Sequence, residues 1–198
     1  DIKDSLKQAI SQHLRNQKED GIRSLYVYSA LLLATNVNEV SYGTTATPEK
    51  FWSKWTEQFA DKNGEELYRY KLAEKVNEKR INAKMFSERY NYVRTDIEKK
   101  YDAPLTPSVQ DAYIYNLCRP ERLLGLMYGF TLYDDGIKKV ARYQQYFAVE
   151  KVMERVRNIE AGKRRGGVIW HTQGSGKSLT MVMLAQAILL DSSIRNPR

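Results

Sequence analysis

Cysteine occurs once, at Cys118, so no disulfide can form within the chain. The two histidines, His13 and His171, add too little to that lone thiol to make a zinc site. Apolar residues make up 42% of the 198, yet no uncharged run approaches the roughly 18 residues that a membrane-spanning helix needs. Asp1-Ile2-Lys3-Asp4 is neither a signal peptide nor a start methionine, so the sequence reads as a cut from something longer. Acidic residues are also scarce relative to basic ones, 24 against 32, which leaves a net charge of +8. That balance suits an anionic partner such as nucleic acid. Together these features fit a soluble protein of a reducing cytoplasm with no membrane partner.

What is present is concentrated near the C-terminal end. Gly166-Gly167-Val168-Ile169-Trp170 is an apolar run that reads as a buried strand, and His171 to Gly176 form a glycine-containing turn. Leu179 to Leu190 then read as a helix. Strand, loop and helix in that order are the context of a phosphate-binding loop, where backbone N–H groups and a helix N-terminus converge on phosphate oxygens. Within Thr172-Gln173-Gly174-Ser175-Gly176-Lys177-Ser178, Lys177 would reach the β- and γ-phosphates and the Ser178 hydroxyl would ligate Mg²⁺, making ATP with Mg²⁺ the expected cofactor pair. The full signature has glycine five residues before Gly176, and this chain has His171 there.

Upstream, Leu6, Ile10 and Leu14 recur every four residues and predict a helix from Ser5 to about Gln17. Ile22 to Ala34 reads as a buried strand. After the turn residues Thr35 to Glu39, Val40-Ser41-Tyr42 is its hairpin partner, followed by a Thr-rich loop from Gly43 to Pro48. Phe51, Trp52 and Trp55 suit one face of a short helix capping a core, with base stacking as the less favoured use. Asp61 to Tyr101 reads as one or two charged amphipathic helices, and Asp102 to Ser108, broken by Pro104 and Pro107, as a linker. Val109 to Cys118 and Pro120 to Phe130 read as helices, Asp134-Asp135-Gly136 as a turn, and Ile137 to about Val156 as a longer helix.

Arg142-Tyr143-Gln144-Gln145-Tyr146-Phe147-Ala148 resembles the Arg-x-x-Gln-x-x-Ala box that precedes the phosphate loop in superfamily-two helicases and translocases. That resemblance implies that Gln145 reads the adenine edge, with Arg142 beside it. Leu25 to Tyr28, Tyr42 to Trp52 and Leu117 to Leu124 are similar to the restriction (R) subunits of type I restriction-modification enzymes. The fold implied is α/β: the end of a PD-(D/E)xK nuclease-like domain over residues 1–60, a charged helical linker over 61–137, and the start of a first RecA-like motor domain over 138–198. The activity implied for the full-length complex is ATP-dependent DNA translocation coupled to endonucleolytic cleavage. The implied partners are double-stranded DNA and the modification (methyltransferase) and specificity subunits.

Of the family's nuclease site, Asp then Glu-x-Lys then Gln, the resemblance carries over only Gln12; some relatives have tyrosine four residues further on, where this chain has Asn16. Asp1-Ile2-Lys3 and Asp96-Ile97-Glu98-Lys99-Lys100 imitate the carboxylate spacing by chance, so the nuclease carboxylates are expected before Asp1. The acidic Mg²⁺-ordering box and arginine finger are expected after Arg198, leaving this segment inactive by itself. On the loop alone, a P-loop phosphotransferase or a non-catalytic nucleotide- or DNA-binding module stays open; the Arg-x-x-Gln-x-x-Ala box speaks against a kinase.

Overall fold

A computed structural model describes residues 4–78, 88–100, 103–160, 163–164, 166–170 and 172–194; His171, Asp1-Ile2-Lys3 and Arg198 lie outside them. Helix α1 (Ser5–Asn16) turns Ile10 inward, as its four-residue apolar spacing predicts. It packs on strand β1 (Leu32–Thr35), which pairs antiparallel with β2 (Val40–Gly43) in the register Leu32 opposite Gly43 and Thr35 opposite Val40. Asn36 closes that hairpin, its side-chain oxygen accepting from the N–H groups of Asn38 (2.9 Å) and Glu39 (2.7 Å).

The single strand expected over 22–34 is instead a short helix α2 (Arg23–Val27), a turn, and then β1. In the sheet register the side chains of Leu32 and Ala34 are buried, and the segment before them bends to bring Tyr26 beneath His13. The helix expected to carry Phe51, Trp52 and Trp55 is also absent. Glu49–Phe51 forms one 3₁₀ turn, after which Ser53 makes a two-way backbone bridge to Tyr42 (2.9 and 3.0 Å). Extended backbone spreads the three rings apart, and Trp55 alone enters the core.

The charged middle supplies α3 (Lys62–Asn77), whose N-cap Asp61 accepts from the Gly64 N–H, a 3₁₀ stretch Glu88–Val93, and α4 (Arg94–Lys100). Asp96 and Glu98 lie on α4 rather than on a strand, as their charged setting suggested. Helix α5 (Val109–Cys118) opens with a capping box between Ser108 and Asp111, and α6 (Pro120–Gly129) with proline in its first turn. Both match the sequence reading.

The long helix expected from Ile137 starts later. Ile137–Val140 is strand β4, paired antiparallel with β3 (Thr131–Asp134) around the Asp135-Gly136 turn, where both residues have positive φ. Helix α7 (Tyr143–Arg157) follows, then a two-residue ribbon of β5 (Ile159–Glu160) and β6 (Lys163–Arg164), and finally α8 (Lys177–Leu190).

Residues 166–170 form no strand, and Val168 and Trp170 are 91% and 90% exposed. The described residues thus form a mixed fold of helices and three separate two-stranded antiparallel sheets, without the buried strand expected over 166–170. A central parallel strand needs neighbours on both edges to satisfy its backbone, and none is provided among these residues. One core nonetheless joins distant parts of the chain: Tyr42, Trp55, Leu117, Leu126, Phe130, Ala141, Val149, Met153 and Met183 are buried together. Tyr42 donates its hydroxyl to the Ala141 carbonyl (2.8 Å), and burial pushes that phenol well above its usual pKa.

Candidate nucleotide-binding site

The loop before α8 has the backbone that phosphate binding requires. Gly174 and Gly176 adopt φ of +76° and +85°, a left-handed conformation that glycine enters without steric cost. Ser175 ties the loop back on itself, donating from its N–H (3.3 Å) and its hydroxyl (2.7 Å) to the Thr172 carbonyl. Gly176 is the N-cap of the 14-residue α8, and its carbonyl accepts from both the N–H and the hydroxyl of Thr180 (3.1 and 3.2 Å). The first-turn N–H groups of a helix have no carbonyl four residues back within it, so they point outward with the positive end of the dipole. Lys177 and Ser178 stand in that first turn, exposed, as does Gln173 in the loop. An ammonium, a hydroxyl and a row of backbone donors fit a nucleoside triphosphate with its Mg²⁺; among the described residues no group of three His, Cys, Asp or Glu side chains could hold a metal ion.

Gln145 lies at the start of α7, 3% exposed, and is held at both ends of its amide. Its oxygen accepts from the Arg142 N–H (2.8 Å) and its nitrogen donates to the Gly176 carbonyl (3.1 Å). The contact is so close that a Cβ on Gly176 would meet Gln145 Nε2 at 2.5 Å. The glutamine is thus a strut between the box on α7 and the phosphate loop. An amide carries two N–H donors and two acceptor lone pairs, and these two bonds engage one of each.

Behind this strut sits a buried cation. Arg122 of α6, 5% exposed, places its guanidinium 4.8, 4.5 and 5.2 Å from the rings of Trp55, Tyr146 and Phe147. Glu57 neutralises it, accepting from Arg122 (2.8 and 3.3 Å), Arg119 (3.2 Å) and the Trp55 indole (2.8 Å). Tyr146 and Phe147 directly follow Gln145, so this network fixes the first turn of α7. Nothing in the spacing of Trp55, Glu57 and Arg122 along the sequence announced their meeting.

Loop residues Thr172 to Ser178, Arg142 and Gln145 are therefore brought together. Gln12 is not among them. It is exposed on α1 and lines neither cavity beside the loop. Its neighbour His13 turns inward instead, bonding the Tyr26 hydroxyl (2.9 Å) and the Leu33 carbonyl (3.1 Å) and stacking on Trp52.

Residues 144–198 match the family model described as SWI2/SNF2 ATPase. Over 88 residues, 41% of this chain and 8% of the relative, the sequence is 40% identical to the type I restriction enzyme HindI endonuclease subunit of Haemophilus influenzae. Over 196 residues, 96% of this chain and 16% of the relative, it is 26% identical to the putative type I restriction enzyme MjaIXP endonuclease subunit of Methanocaldococcus jannaschii. The putative MjaVIIP endonuclease subunit of the same organism is 37% identical over 93 residues, 42% of this chain and 9% of that protein. The chain thus spans 8 to 16% of the length of these relatives. No solved structure matches. The homologues of this chain are endonuclease subunits of type I restriction enzymes, and from residue 144 onward it matches a SWI2/SNF2 ATPase.

Proposed function

We propose that this chain is a segment of a type I restriction subunit, in which ATP-dependent translocation of double-stranded DNA is coupled to its endonucleolytic cleavage. The observation that carries the reading is the loop itself: two left-handed glycines leading into α8, with Lys177 and Ser178 exposed in its first turn and Gln145 bonded to Gly176. In this reading residues 138–198 open the first RecA-like motor domain, 61–137 join it to the nuclease-like part, and 1–60 contribute Gln12 to the end of that nuclease domain. The work takes place in the cytoplasm, in a complex with modification and specificity subunits. Among the described residues no helix is long and apolar enough to cross a membrane.

Mg²⁺ bound with ATP would neutralise phosphate charge and be held in part by the Ser178 hydroxyl. The chain's own residues divide the remaining tasks. Backbone N–H groups from Gly176 to Ser178 orient the phosphates, and Lys177 offsets the charge that develops during transfer. Gln145 presents its remaining N–H and lone pair to N7 and the 6-amino group of adenine, with Arg142 holding the other side of its amide.

The test is Lys177→Ala in the full-length subunit assembled with its partners. DNA-stimulated ATP turnover is expected to fall by at least about a hundredfold, on the scale of losing one charge-stabilising group. Unchanged turnover would end the motor reading. ATP turnover that DNA does not stimulate in the unaltered protein would point to a phosphotransferase.

A further inference from the structure

The purine side of the nucleotide site has a wall that the C-terminal segment does not supply. A cavity of about 350 Å³ opens next to Gly174, Ser175 and Gly176, within the roughly 300–1,000 Å³ of small-molecule pockets. On the motor side it is lined by Arg142, Gln145 and Leu179, and opposite them by Thr47, Pro48 and Phe51 from the N-terminal part of the chain. Its lining is mostly apolar, as a flat aromatic base requires, and its polar members include Lys138 and Lys139 of β4 as well as Arg142 and the Gln145 amide beside the phosphate loop.

Phe51 is the conspicuous member of this wall. It is 51% exposed at the rim of the cavity, with Lys50 Nζ 4.9 Å from its ring centre. The turn that presents it is nevertheless held firmly. Phe51 N–H donates to Pro48 (2.9 Å), Trp52 N–H to Glu49 (3.1 Å), the Trp52 indole to the Thr47 carbonyl (3.0 Å), and the Thr44 N–H to the Thr47 hydroxyl (3.0 Å). Ser53 then pins the segment to Tyr42 of β2. A half-exposed ring on so constrained a backbone is preorganised for a partner, since little further ordering accompanies binding.

We propose that Phe51 stacks on the purine base of the bound nucleoside triphosphate, so that nucleotide occupancy clamps the β1–β2 unit onto the phosphate loop. The proposal rests on the loop binding a nucleotide. It adds that the base is held between two parts of the chain far apart in sequence, one of which carries the hairpin and α1. Nucleotide binding then reports directly to the N-terminal part, with no further element needed between them.

The experiment uses the full-length subunit and measures displacement of a fluorescent ATP analogue by ATP and by inorganic tripolyphosphate, in the unaltered protein and in Phe51→Ala, Phe51→Trp and Lys177→Ala. Phe51→Ala is expected to weaken ATP roughly tenfold, the scale of one aromatic–base stack, to leave tripolyphosphate unchanged, and to be rescued by Phe51→Trp. Hydrogen exchange supplies a second readout. ATP should slow exchange across residues 44–53 in the unaltered protein and not in Phe51→Ala. Because Phe51 is half exposed, its removal hollows no core. Equal affinity of Phe51→Ala and the unaltered protein for ATP, with Lys177→Ala impaired, would overturn the proposal and leave the phosphate-loop reading standing. ATP binding unaffected by Lys177→Ala would overturn that reading itself.

Discussion

Gly176→Ala is the sharpest probe of how the adenine box and the phosphate loop are joined. Alanine at φ +85° pays the left-handed penalty of about 1–2 kcal/mol. Its Cβ would also fall 2.5 Å from Gln145 Nε2, so the amide must move and lose its 3.1 Å bond to the Gly176 carbonyl. With Gln145 buried, an amide N–H left without an acceptor costs about 1–3 kcal/mol. Together these weigh about 2–5 kcal/mol against the loop's binding-competent conformation, which caps the expected loss in ATP affinity at roughly 30- to 5,000-fold. The steric share can be isolated by a double-mutant cycle with Gln145→Ala. Once the glutamine is truncated the added methyl meets nothing of comparable reach, and only the backbone share remains. Equilibrium binding of a non-hydrolysable ATP analogue to the four full-length proteins should give a coupling of about 1–2 kcal/mol, the double variant being less impaired than the single losses predict. Coupling below about 0.5 kcal/mol would refute the strut and leave Gly176 with a purely conformational role.

Glu57→Ala strands Arg122 without its anion in a site where water barely reaches, and should destabilise the fold by about 3–5 kcal/mol, read from the urea midpoint. Lys54→Ala, which breaks only the exposed pair with Glu39, should shift that midpoint by no more than about 1 kcal/mol. Asp191 closes the end of α8, where the Ser193 hydroxyl, the Arg157 side chain and the Ser193 N–H hold its carboxyl down to about 2. Because the folded value is the lower one, this contribution is complete above the ordinary carboxylate value of about 3.9 and is lost as pH falls toward about 2. Asp191→Asn should accordingly flatten the acid limb of the unfolding curve between those limits; an unchanged acid limb would contradict the assignment.

The sequence was most informative where a local rule decides the structure alone. Val109 to Cys118 forms α5, Pro120 opens α6, and Gly174 and Gly176 bend the loop before α8; each element forms where its residues predict. The failures share a different origin. Thr131–Asp134 and Ile137–Val140 are four residues each, too short for alternation to distinguish them from the start of α7, although the Asp135-Gly136 turn between them was visible. Ile22 to Ala34 reads as one strand, but pairing with β2 reaches only Leu32–Thr35, and Arg23–Val27, with no strand beside it, turns into a helix. Val168 to Trp170 has the composition of a buried strand, but a strand exists only with partners. At the site, the glycine turn before α8 lies within one contiguous stretch that the sequence displays, whereas the Gln145–Gly176 bond and the Glu57–Arg122 pair arise from contacts across long stretches of chain.

The exposure of residues 166–170 makes the molecule its own optical reporter. Of three tryptophans, Trp55 is sealed in the core and Trp52 is half covered by His13, while Trp170 lies almost wholly in water. Any strand that docks along Val168-Ile169-Trp170 transfers one indole from solvent to an apolar setting, while the other two keep their surroundings. The emission should move to shorter wavelength in step with that docking, so completion of the sheet beside the phosphate loop can be followed without a label.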